Sequence, residues 1–127
     1  MIPLAPRRVR PLSETQIQRR ILVAINRLPG VRAARNNVGR FLNEAGRPVR
    51  VGLGVGSPDL VGIVMVHGLP VAFGLEVKRP GKDATPSQRT WHTYFSRKFS
   101  LCVATVHSVD EAVDALYRFR SQYAIHC

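Results

Sequence analysis

Gly56-Ser57-Pro58-Asp59-Leu60 and Leu75-Glu76-Val77-Lys78-Arg79-Pro80 carry two carboxylates, Asp59 and Glu76, set seventeen residues apart. Asp59 stands at a turn just before an apolar run, so its carboxylate marks the start of a strand. Glu76 and Lys78 close a second run, Ala72-Phe73-Gly74-Leu75, that is apolar up to the charges. Strand side chains alternate faces, so Glu76 and Lys78 point one way and Val77 the other. If the two runs are neighbouring strands, Asp59 meets them. Two carboxylates and an ammonium converging in a cleft can hold a divalent metal and steer a water.

Outward from this pair the chain alternates helices and strands. Ser13-Glu14-Thr15-Gln16 is a capping box opening a helix. Ile17, Ile21, Ala24, Ile25 and Leu28 follow at helical spacing, and Pro29-Gly30 stops it. Residues 31–41 read as a first strand and 43–48 as a hairpin loop. Val49, Val51, Leu53 and Val55 alternate with Arg50, Gly52, Gly54 and Gly56, a period-two signal for a strand with one face cleared by glycine. Asp59 to Val66 is a strand, His67 to Pro70 a turn, and Val71 to Lys78 the next strand. Thr85 caps a second helix with Pro86 at its first position, and Trp91, Tyr94, Phe95 and Phe99 give it an aromatic face. Leu101 to Val106 is a buried strand, and Ser108-Val109-Asp110-Glu111 caps the last helix, with Ala112, Val113, Leu116 and Tyr117 inward. This order predicts an α/β sandwich with a central mixed sheet flanked by helices.

One domain is expected from 127 residues, and 45% hydrophobic content argues against disorder. The organisation reads as a basic flexible arm over 1–12, a single domain over 13–122 and a tail over 123–127. The net charge is +11 and lopsided: residues 1–50 hold eleven Arg against two Glu, residues 51–127 eight basic against six acidic side chains. Arginine gives phosphates bidentate contacts and stacks on bases, so nucleic acid is the natural partner. Arg35, Arg40, Arg50, Arg79 and Lys82 are the candidate contacts. Cys102 lies in an apolar run and Cys127 is the last residue; two such cysteines make neither a disulfide scaffold nor a zinc site. No apolar leader and no transmembrane-length run is present, and a soluble, cytoplasmic protein is expected.

Several positions admit two readings. Glu76 and Lys78 could form a solvated ion pair on an edge strand. Gln88 completes a Thr-x-x-Gln capping box, or it points into the cleft from a helix N-terminus that favours phosphate. Glu14 complements its helix dipole, or it adds a metal carboxylate. His67 and His107 read as turn residues, and neither they nor His92 and His126 pair at metal-ligand spacing. His92 lies near Gln88 and could approach substrate, with a structural role favoured. The glycines do not spell a dinucleotide fingerprint, and no G-x-S-x-G nucleophile occurs.

Taken in order, Glu14, Pro58-Asp59, Glu76-Val77-Lys78 and Gln88 resemble the PD-(D/E)XK nuclease superfamily, and within it a stand-alone virus-type replication-repair nuclease (VRR-NUC) domain. The resemblance runs from about Ser13 to Val113. It implies a restriction-endonuclease-like core with the site at one sheet edge. It implies Mg²⁺ or Mn²⁺ held by Asp59, Glu76 and the Val77 carbonyl, with Lys78 activating water, Gln88 supporting the site and Glu14 as the first-helix acid. It further implies a homodimeric endonuclease acting on branched DNA such as Holliday junctions in DNA repair, and a phage origin. The alternative is a non-catalytic nucleic-acid-binding protein that keeps the nuclease fold.

Overall fold

Capping chemistry sets where the helices begin. The structure, a computed structural model, describes residues 10–124. Residues 1–9 of the expected arm and 125–127 of the expected tail, with His126 and Cys127, lie outside the described residues. The Ser13 hydroxyl accepts the Gln16 N–H while the Gln16 side chain accepts the Ser13 N–H, and this reciprocal pair opens α1 (Glu14–Ile25). After it come β1 (Val31–Arg35), β2 (Gly39–Leu42), β3 (Pro48–Val51), β4 (Leu60–Val66), β5 (Leu69–Val77), α2 (Pro86–Phe99), β6 (Cys102–Val106) and α3 (Val109–Ala124).

The main sheet runs β1-β4-β5-β6. β1, β4 and β5 are antiparallel, and β6 joins β5 in parallel, so the sheet is mixed. β4 and β5 are joined by His67-Gly68, both at positive φ (49° and 80°), as a two-residue hairpin turn requires. Leu60, Val64, Phe73, Leu75 and Val77 bury one face of the sheet with Ile17, Ile21 and Ile25 of α1 and Leu116 and Phe119 of α3. Phe73 and Phe119 hold their ring centres 6.3 Å apart. Each such side chain contributes about 1.5–3 kcal/mol by leaving water. The opposite face of β5, carrying Gly74, Glu76 and Lys78, turns toward α2. Gly74 is required there, because a Cβ would stand 2.6 Å from Cγ of the buried Pro58.

Two expected strands come out differently. The stretch 31–41 divides into β1 and β2, which belong to separate sheets. The division falls at Asn36, whose amide donates to the Ser57 hydroxyl and the Pro58 carbonyl and turns the chain out of the main sheet. The strand expected through Val55 ends at Val51. Gly52, Gly54 and Gly56 all take positive φ (82°, 107°, 89°), so the alternation continues in sequence but not in conformation. No cleared strand face exists there, and Val55 is 85% exposed. No helix of the described residues is long and apolar enough to cross a membrane.

Candidate active site

Extending the β4–β5 register by one residue sets Asp59 opposite Glu76, on the same sheet face. The Val77 N–H donates to Asp59 Oδ2 at 2.8 Å, and the Asp59 carbonyl accepts the Asn36 N–H at 2.8 Å. Glu76 is fully buried. Its Oε1 accepts the Gln88 Nε2–H at 2.8 Å. Its Oε2 lies 3.3 Å from His92 Nε2, and neither atom has a hydrogen-bond partner. The pair is close enough to attract but too poorly aligned to count as a hydrogen bond.

Burial, then the neighbouring Glu76 carboxylate, which favours the protonated form, push the Asp59 carboxyl up from 3.8 to about 7. The Val77 N–H opposes this, as does the Lys78 charge more weakly. Two carboxyls this close cannot both ionise cheaply, so one keeps a proton unless a cation takes its place. A buried carboxylate oxygen without a partner is costly. Paired oxygen donors of this kind suit a hard divalent cation, which commonly keeps water in its remaining positions. Among the described residues no third His, Cys, Asp or Glu closes the group into a complete protein cage.

Gln88 fills both of its sequence readings at once. Its Oε1 accepts the Thr85 N–H at 2.7 Å, completing the capping box, while its Nε2 reaches Glu76. Lys78 shares the face of Glu76, and its N–H donates to the Val106 carbonyl at the end of β6. Glu14 sits at the first turn of α1, and no hydrogen bond or ion pair links its side chain to another described residue, so the structure does not join it to the carboxylates. Arg35 ends β1, Arg40 and Arg50 lie on the β2–β3 hairpin, and Arg79 and Lys82 follow β5; all five are exposed.

Two further residues lie near the carboxylates: His92, for which sequence favoured a structural role over an approach to substrate, and Asn36, which sequence did not single out. His92 is one helical turn beyond Gln88, so a Gln88 aimed at Glu76 carries His92 to the same acid; that i,i+4 spacing was the available signal. Asn36 had none. Its Oδ1 accepts the Leu53 N–H while its amide donates to Ser57 and Pro58, tying down both ends of the loop that leads into Asp59.

A solved structure titled VRR_NUC domain superposes on 82% of this chain and 94% of its own, with a TM-score of 0.55 and 25% identity. This likeness supports a VRR-NUC domain. The match spans nearly all of that VRR-NUC structure and agrees with the mixed sheet and three helices described above. No protein-family model matches the sequence, and no curated protein does. The VRR-NUC likeness associates the chain with a nuclease domain family.

Proposed function

We propose that this VRR-NUC domain is a metal-dependent DNA endonuclease that hydrolyses phosphodiester bonds in branched DNA such as four-way junctions, and that it works as a homodimer. The observation that supports it most is the facing pair Asp59–Glu76, with one buried carboxylate oxygen left without a partner. Asp59, Glu76 and the Val77 carbonyl are the groups that would hold Mg²⁺ or Mn²⁺. A divalent cation there supplies Lewis-acid polarisation of the phosphate, a more acidic bound water and a counter-charge for the leaving oxygen. Gln88 fixes Oε1 of Glu76 and thereby the direction in which Oε2 points. The Lys78 ammonium, on the same face as Glu76, orients the attacking water and meets negative charge gathering on the phosphate. The exposed arginines and Lys82 hold the backbone on either side without reading bases. Branched DNA with two-fold symmetry requires two copies of the site, hence the dimer.

Cleavage of an end-labelled panel of duplex, single strand, flap and four-way junction tests this reading. Wild type is expected to cut the junction with Mg²⁺ or Mn²⁺ and not with EDTA. Glu76→Gln keeps the size and the hydrogen bonds but not the charge, and should lose more than the roughly 10- to 100-fold that removal of a mere supporting group costs. Gln88→Ala should fall within that smaller range. Full cutting by Glu76→Gln, or by any of these proteins in EDTA, would refute the assigned site. Tight binding of the junction with no cutting in either metal would leave a nucleic-acid-binding protein that has the fold without the chemistry.

A further inference from the structure

The β2–β3 hairpin stands apart from the main sheet as a two-stranded ribbon, and every residue from Arg40 to Arg50 is exposed. Arg40 and Arg50 are direct cross-strand partners on one face of it. Like charges set opposite each other destabilise a ribbon, so this pair has no value to the hairpin itself. Nor does the protein neutralise it, since among the described residues no arginine forms an ion pair with a carboxylate. Arg47 in the turn and Arg35 at the ribbon's root add to the same field.

The root is firmly built. Asn36 precedes the ribbon, and Leu53, just beyond it, donates its N–H to the Asn36 side chain. The two limbs close tightly, because a Cβ on Gly52 would stand 2.5 Å from the Asn37 carbonyl oxygen. The same Asn36 holds Ser57 and Pro58 and donates its N–H to the Asp59 carbonyl. One side chain therefore registers the ribbon against the candidate active site.

We propose that the hairpin Gly39–Val51 is a DNA-gripping arm. Its Arg40–Arg50 pair clasps backbone phosphates of a B-form duplex at an offset from the Asp59–Glu76 site fixed by Asn36. The proposal rests on the nucleic-acid reading given above and names the element that carries it. Paired guanidinium groups match phosphate oxygens bidentately, and a phosphate between them relieves their mutual repulsion. A two-stranded ribbon fits the major groove of B-form DNA, whereas that of A-form RNA is too narrow.

The test is binding of the full chain to a short DNA duplex in EDTA, followed by anisotropy across a salt series. Arg40→Gln/Arg50→Gln should weaken binding about tenfold and flatten the log–log salt slope by about 2. Arg19→Gln/Arg27→Gln removes the same charge from the α1 region and should do clearly less. Arg40→Glu sets an acid opposite Arg50, so it should raise the melting temperature while weakening DNA binding further than Arg40→Gln does. That rise separates loss of grip from loss of fold. Equal losses in the two double variants, no loss in either, or equal affinity for an RNA duplex would overturn the arm. Binding is read without metal, so a protein that grips DNA through the ribbon yet never cuts it would sink the nuclease reading alone.

Discussion

Asp59 holds its proton up to about neutral pH, where it titrates, because burial and Glu76 disfavour its charged form. Its folded value, about 7, lies above its ordinary 3.8, so the protonated form favours the folded state. The stability this group contributes is full below its ordinary value and is lost as pH rises through about 7. The protein in EDTA should therefore melt at progressively lower temperature as pH is raised through this window. Asp59→Asn, which cannot ionise, should flatten that part of the profile, and Mg²⁺ should restore wild type on the alkaline side. Thermal melts across the window check this; a wild-type melting temperature that climbs with pH would contradict it. Residue identities announced Asp59, Glu76 and Lys78 because charge at the end of an apolar run is conspicuous. They did not announce Asn36, whose role depends on a loop returning to it from Leu53 and Ser57.

Among the elements, helix starts were legible and the glycine stretch was not. Ser13 and Thr85 each show a capping residue and its reciprocal partner three positions on, a local signal that tertiary packing had no reason to override. Gly52, Gly54 and Gly56 mimic alternation only because glycine has no side chain to declare a face. Their positive φ values belong to turns, and Gly56 has a further task. A Cβ there would stand 2.9 Å from the carbonyl oxygen of Ser87, in the first turn of α2. Gly54 also has positive φ but opens onto empty space. Gly54→Ala should therefore cost backbone strain alone, about 1 kcal/mol, and Gly56→Ala should cost more, up to about 3 kcal/mol. Only the second should disturb the Gln88 contact with Glu76. Denaturant melts of both variants give the comparison, and equal losses would show that α2 does not lean on the loop.

At the scale of the whole molecule, α2 has one side on Glu76 and the other uncovered. None of its residues is fully buried, yet Trp91, Phe95 and Phe99 stack in sequence, with centroid separations of 4.0 and 5.2 Å. Phe99 is 60% exposed, and an open surface groove of about 830 Å³ runs beside Tyr94. This aromatic row is the candidate for the proposed dimer face. Sedimentation should give twice 14.1 kDa, and Phe99→Asp should return the mass to one chain. A wild-type mass of 14.1 kDa would remove the dimer from the proposal. The sheet order and the layering of helices were readable from the alternation of periods. Periodicity gave the aromatic row of α2 and offered it as an interface, but it cannot by itself tell a face turned to the core from one turned to a partner. Gln88 joins these scales. One amide both begins its helix and braces the acid of the neighbouring strand. The site therefore cannot be assembled ahead of the helix, and any breathing motion that frays the first turn also disarms Glu76. Under the proposed function a half-folded copy is a safe copy, because the same bond that marks correct folding is the one that arms it.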